Sequence, residues 1–545
     1  MKLRLLILAS LLATLPLARL HALDITTATI PELQAAMAKG TLSAEKLTQL
    51  YLDRIAAYDK QGPVINAVIT MNPKALEAAK ALDAERAAGK VRGPLHGIPI
   101  VLKDNIDTFD LPTTAGSQLL AGSIPVGDAW VAKKLRDAGA IIVAKVNLSE
   151  WAGSGGSVSG TTDLDIIKAG QVPNGFSSMG GQTKNPHDLT RGPSGSSGGT
   201  GASIAAAYAQ LGLGTDTGGS VRGPSSANGI VGLKPTHGLL SRDGIVPLAL
   251  SFDTAGPMAR NVTDVAIALG VMTGIDPADD ATKKSAGKFE ADYTKYLKVG
   301  SLKGARVGIA RDFMGKDAEV DRIVEEAIVT LKGLGAVIVD IKYPQYLLLA
   351  KQPIYNALVA AEFKAQLTVY LQTKTRMPGL PKSFDEVVAM SNDPKTGYRS
   401  PGKAYGLKYN STRTLDLTDP SYLAIKNEQL AAMLAGVTAL FTKDKLDAIL
   451  YPTSPRPATP IEPAAPAVTT GADSPTNLAN ETGFPDFIVP AGMTKDGLPV
   501  TISFLGQAFT EAKLIGYAYD FEQATHARML PKHTPSLATD MIAAK

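Results

Sequence analysis

The chain has 545 residues, 45% of them apolar and 19% charged, a globular composition with ample length for a large buried core. Its formal charge of +4 comes without a dense basic run, so nothing global points to a nucleic-acid partner. Cysteine is absent, which excludes disulfides, lipid attachment through Cys and thiol chemistry, and leaves Ser, Thr, Lys or a carboxylate as candidate nucleophiles.

The first segment, MKLRLLILASLLATLPLARLHA, joins a short basic region (Lys2, Arg4) to an apolar run from Leu5 to Leu17 and a small residue at Ala22. The run is too short to span a bilayer and no stop-transfer segment follows, so residues 1–22 read as a cleaved signal peptide, with an uncleaved anchor as the alternative. Loss of Lys2, Arg4 and Arg19 lowers Lys+Arg from 55 to 52 against 51 acids, and the formal charge from +4 to +1. A periplasmic or secreted location and no stable membrane insertion after cleavage are the corresponding expectations.

Leu47, Leu50, Tyr51, Ile55 and Tyr58 share one helical face, with Ser43 as N-cap. A second helix runs from about Lys74 to Ala88 and stops at Gly89. The apolar run 98–102 reads as a buried strand leading into Lys103, and AWVAKKLRDAGA followed by IIVAK reads as helix then strand. The alternation returns as ARVGIA, a helix near 319–333, and AVIVDI. LDAILYP, DFIVPAG and LPVTISFLG are strand-like, and a helix from about Glu511 to Thr525 closes the pattern. Residues 345–440 read as a mostly helical insertion or cap, and the Pro-rich stretch 452–476 as a loop beside a pocket or a surface connector. The pattern predicts an α/β protein around a mixed sheet.

Two serine-glycine stretches stand out. Gly195-Ser196-Ser197-Gly198-Gly199 fits the G-x-S-x-G elbow centred on Ser197, which needs a later acid and a later His. The six histidines supply this order poorly: His21 leaves with the signal, His96 and His187 precede the serines, His237 follows too soon, and His526 and His533 sit in and after the last amphipathic helix. In the second stretch an apolar strand, Leu211–Leu213, opens into GTDTGGS, where Gly218 and Gly219 precede Ser220. Such a turn can aim consecutive N–H groups at one point, as an oxyanion hole requires, or it can be a glycine turn without chemistry. A base other than His is available in Lys103: buried against apolar walls its pKa falls and the neutral amine accepts a proton, whereas at an exposed strand end it would do neither.

Taken together, GIPIVLKDN (97–105), GPSGSSGGTGASIAAA (192–207), GLGTDTGGSVRGPSSANGIVGLKPTHG (212–238), SFDTAGPMARNVTDVA (251–266) and NETGFPDFIVPAGMTKDGLPVTISFLG (480–506) resemble the amidase signature family, in the family's order and across most of the chain. The resemblance implies the amidase signature α/β fold, a large mixed twisted β-sheet covered by helices on both faces, with residues 23–545 as a single domain. It also implies an amidase that uses a Ser-cisSer-Lys triad and neither metal nor cofactor. Carried over by motif, Lys103 is the base, Ser196 the bridging serine and Ser220 the nucleophile, 24 residues apart as 220 − 196. The N–H groups of Thr217, Gly218, Gly219 and Ser220 would form the oxyanion hole, and Ser197, Asp216 and Arg222 would support the site.

Within the family, GGQTKNP and LLSRDGIVPLALSFDTAGPMAR look most like the bacterial peptide amidases, which remove a C-terminal amide, although the segment 161–179 looks longer than its equivalent there. The expected partner is a small-molecule or peptide amide, with no nucleic acid. The alternatives are the glutaminase subunit of tRNA-dependent amidotransferases, against which export argues, and a non-catalytic binding protein, against which the retained Lys103, Ser196 and Ser220 argue.

Overall fold

The continuous apolar runs become strands of one mixed sheet, buried on both faces. The computed structural model describes residues 23–153, 163–462 and 474–542. The expected signal peptide, the first two residues of 161–179 and residues 463–473 of the Pro-rich stretch lie outside the described residues. Eleven strands form the sheet: β1 (Val68–Met71), β2 (Pro99–Lys103), β3 (Ile141–Val146), β4 (Leu211–Asp216), β5 (Val231–Lys234), β6 (Thr254–Ala259), β7 (Arg306–Ala310), β8 (Val337–Ile341), β9 (Ala448–Pro452), β10 (Asp486–Met493) and β11 (Pro499–Leu505). Their spatial order is β8-β7-β9-β11-β10-β5-β6-β4-β2-β3-β1, and helices cover both faces. β2 runs parallel to β3 and β4, and β7 parallel to β8 and β9, while the remaining neighbours are antiparallel.

Every residue of β2, β3, β4, β6 and β9 is buried, which is why β2, β3 and β9 read as largely apolar stretches rather than alternating ones. The edge strand β8 exposes Val337 and Asp340. Helix ends follow local chemistry. Ser43 caps Ala44–Tyr58 by accepting the Lys46 N–H at 3.0 Å, and Asp317 caps Ala318–Gly333. Between β8 and β9 the chain is mostly helical, including Gln345–Lys374, Phe384–Asn392, Pro401–Ser411 and Leu430–Asp444. Among the described residues no helix is long and apolar enough to cross a membrane.

The parallel pairing of β2 with β4 matters most for the site. Leu102 lies opposite Leu213, so both strands end at the same edge, β2 on Lys103 and β4 on Asp216.

Candidate active site

Lys103 is the last residue of β2 and has no solvent exposure. Its Nζ lies 2.8 Å from Ser196 Oγ, 2.8 Å from Thr215 Oγ1 and 3.4 Å from the Thr215 carbonyl oxygen. Burial pulls its pKa down to about 7, against the opposing fields of Asp216 and Asp253. A neutral amine has two N–H donors and one lone pair, so it can donate toward Thr215 and accept from the Ser196 hydroxyl. Asn105 Nδ2 donates to Thr215 Oγ1 at 3.0 Å and fixes that hydroxyl from the other side.

Ser196 sits in the loop that enters the helix Gly198–Ala205, and its peptide bond to Gly195 is cis. The loop lies against the end of β3. The Ser149 N–H donates to the Ser196 carbonyl at 2.9 Å, and the Gly199 N–H donates to the Asn147 carbonyl at 3.0 Å. Neither glycine leaves room for a side chain: a Cβ on Gly195 would lie 2.3 Å from Ser149 Oγ, and one on Gly199 would lie 2.3 Å from the Asn147 carbonyl oxygen. Ser197 is buried and turned to the sheet. Its Oγ donates to the Thr215 carbonyl at 3.2 Å and accepts the Thr215 N–H at 3.3 Å, so it pins the strand that carries Thr215. No histidine partners Ser196 or Ser197 among the described residues: His187 Nε2 pairs with the Asn228 carbonyl and His237 Nε2 with the Leu250 carbonyl. The elbow arrangement centred on Ser197 is therefore not built here.

Ser220 closes the turn after β4 and is half-buried. Its carbonyl accepts the Ser197 N–H at 3.0 Å, which brings the two serine loops together. Its hydroxyl makes no hydrogen bond to Ser196 among the described residues. Asp216 organises the turn: its carboxylate accepts the N–H groups of Gly219 and Val221, each at 2.9 Å. The Gly219 N–H, one of four expected to face an oxyanion, is thus directed to Asp216. The N–H groups of Thr217, Gly218 and Ser220 have no such acceptor among the described residues. Tyr355, from the helix Gln345–Lys374, reaches this turn, because a Cβ on Gly218 would lie 2.6 Å from its hydroxyl oxygen.

Arg222 holds Asp216 from behind, with Nε and Nη2 on its two oxygens at 3.1 and 2.9 Å. Its Nη1 reaches Asp486 at 2.9 Å and the Thr476 carbonyl at 2.8 Å. All three charged side chains have zero exposure. Burial pushes the Asp216 carboxyl up, but the Arg222 guanidinium outweighs it and holds the group well below the usual carboxylate range. Asn480 donates a further hydrogen bond to Asp216 at 2.9 Å. Thr215, Asn105, Asn480 and Asp486 escaped the sequence reading. Each lies inside a quoted motif, but its role depends on strand register and on a contact between distant segments.

Beside the turn lies a cavity of ≈ 230 Å³ whose walls include Tyr355, Val359, Phe363, Leu248, Gln352 and Asn356. Among the described residues no group of three or more His, Asp or Glu side chains is placed to hold a metal ion.

The sequence matches the protein-family model described as Amidase over residues 46–515. It is 38% identical to the peptide amidase from Stenotrophomonas maltophilia, whose structure superposes with a TM-score of 0.84 over 93% of this chain and 99% of that one. It is also 36% identical to a probable amidase of Arabidopsis thaliana over 93% of this chain and 92% of that protein. A glutamyl-tRNA(Gln) amidotransferase subunit from Thermoanaerobacter pseudethanolicus is 36% identical over 94% of this chain and 99% of that protein.

Proposed function

The chain belongs to the amidase family and is an amide-hydrolysing enzyme, and from that premise we propose that it works through an acyl ester on Ser220, with Ser196 and Lys103 as its proton relay. The observation that carries the proposal is the 2.8 Å contact between Ser196 Oγ and a lysine whose pKa burial brings to about 7. In the attack step, the Ser220 hydroxyl proton passes to Ser196 as the Ser196 proton passes to Lys103 Nζ. The Ser220 oxygen then bonds to the amide carbon. The oxyanion lies against the N–H groups of Thr217, Gly218 and Ser220. Collapse breaks the C–N bond, the leaving amine takes the relayed proton, and water cleaves the ester by the reverse route. Ser197, Asp216 and Arg222 position the two loops and do not react.

A fluorophosphonate probe tests the nucleophile: the full chain should be labelled stoichiometrically and Ser220→Ala should not. Equal labelling of the variant removes Ser220 from the reaction.

The favoured substrate is a C-terminal peptide amide. The extensive likeness to the S. maltophilia enzyme supports this reading, as does a cavity whose apolar and amide side chains suit a neutral peptide-like acyl part. On this view residues 23–545 act as one catalytic unit, and the helical stretch 345–440 contributes the cover over the cleft through Tyr355. The glutaminase reading keeps support from the 36% identity to an amidotransferase component. A turnover panel separates them: preference for peptide amides over anilides and glutamine supports the first reading, and preference for glutamine supports the second. Residues 1–22 would carry the protein out of the cytoplasm, and N-terminal sequencing of extracytoplasmic protein should begin after Ala22.

A further inference from the structure

The turn that follows β3 ties the bridging serine to the helical stretch through one buried carboxylate. Glu150 supplies it and has no solvent exposure. One residue earlier, the Ser149 N–H holds the Ser196 carbonyl at 2.9 Å. After Glu150, Trp151 and Ala152 take φ of 54° and 53°, a left-handed backbone that non-glycine residues adopt at a cost and keep only where neighbours hold it. The Trp151 N–H donates to the Ala115 carbonyl at 2.9 Å, and Ala152 and Gly153 then line the cavity beside the catalytic turn.

The groups that hold this turn come from far along the chain. Glu150 Oε2 accepts the Ser178 N–H at 2.8 Å, and Oε1 accepts the Ser178 hydroxyl at 2.9 Å and the Tyr398 hydroxyl. Burial pushes the Glu150 carboxyl up, opposed by the Tyr398 hydrogen bond and by the charge of buried Lys403. Gln118 grips the same loop: its Oε1 accepts the Arg399 N–H at 2.9 Å, and its Nε2 donates to the Gly397 carbonyl at 3.1 Å. This loop joins the helices Phe384–Asn392 and Pro401–Ser411, which put Phe384, Leu407 and Asn410 into the cavity wall. Phe384 and Leu407 share one buried cluster with Trp151, and Tyr398 packs against it. Tyr398 is therefore where the two outer helices of the cavity are fastened to the turn beneath them.

We propose that Glu150 and Tyr398 are positioning residues for substrate selection: their hydrogen bond sets the two helices over the cavity, and with them the fit of a large acyl part, whereas attack on a small amide proceeds without it. The inference rests on the reading of this cavity as the acyl site of an enzyme acting through Ser220. Because Glu150 also adjoins Ser149, variants of its partners isolate the effect. The test is kcat and KM of the full chain, measured with N-acetyl-L-phenylalaninamide and with acetamide. Tyr398→Phe, which removes one hydroxyl, should raise KM for N-acetyl-L-phenylalaninamide about 3- to 10-fold, as the binding-competent fraction falls with a lost carboxylate hydrogen bond. Its kcat for that amide, its kcat/KM for acetamide and its fluorophosphonate labelling should keep the native values, an outcome that general loosening of the fold would not give. Gln118→Ala, which releases the loop without removing a Glu150 partner, should shift KM the same way. Unaltered KM in both folded variants, or an equal loss of kcat/KM with both amides, overturns this proposal and leaves the Ser220 reading standing. Failure of the native chain to turn over either amide or to be labelled overturns the acyl-site reading and this proposal with it.

Discussion

Lys103 illustrates at single-residue scale how one burial serves catalysis and costs stability. Its folded-state pKa, about 7, lies below the ordinary 10.5, so between these values the unfolded chain holds a proton that the native protein does not. Stability therefore rises with pH across that window: the cost of burying Lys103 is complete below pH 7 and disappears as pH approaches 10.5. With neutral Lys103 as base, kcat/KM should climb through pH about 7, and the pH–rate profile measures this directly. Lys103→Met should cut turnover by about 10³-fold or more with Tm at pH about 6 no lower than that of the native protein. Substantial turnover in that variant would remove the lysine from the relay, and a large loss of Tm would contradict the desolvation account. The residue identity was legible in the sequence, because a Lys after an apolar strand is conspicuous. Its partner Ser196 came only through the family resemblance, and its partner Thr215, 112 positions away, was not legible at all.

The helix Gly198–Ala205 shows what an element contributes. Its first turn is pressed onto the end of β3, where Gly199 meets the Asn147 backbone. Gly199→Ala would place a methyl group 2.3 Å from the Asn147 carbonyl oxygen, just past the end of β3. The expected cost is about 1–3 kcal/mol or more, with loss of turnover as the Ser196 loop shifts, measured by urea unfolding and assay. Gly333 is the internal contrast: it ends the helix Ala318–Gly333 with nothing within 4 Å of the place a methyl would take and no positive φ. Gly333→Ala should leave turnover unchanged and stabilise by about 0.4–1 kcal/mol. The glycine-rich composition of 192–201 signalled a tight loop from sequence, but one glycine does not reveal which backbone it touches.

Across the whole molecule, Arg222 joins parts of the sheet that are not neighbours. It links Asp216 at the end of β4 to Asp486 at the start of β10, with β6 and β5 between them, and adds the 476–480 segment. Arg222→Met would leave two buried carboxylates without their cation, a loss of about 3–5 kcal/mol at pH about 7. The Asp216 carboxyl is held below its ordinary pKa, so the stability it contributes is present above pH about 4 and fades as pH falls below that. The gap between native and variant stability should accordingly shrink in acid, and urea unfolding at pH about 7 and about 3 measures it. A gap that stayed constant would mean that Arg222 acts by packing alone.

The sequence by itself determined eight of the eleven strands (β1, β5 and β6 were not read from it), the helix boundaries near Ser43 and Gly89, and the absence of thiol chemistry. Those features are local: burial on both faces writes itself as an apolar run, and a cap or a tight loop needs its residue type in place. The resemblance already paired Ser196 with Lys103, but tertiary structure alone decided that Ser197 grips Thr215 and that the Gly219 N–H turns to Asp216. Such outcomes depend on strand register and on which buried groups find partners, and neither is encoded within a few residues of the group concerned.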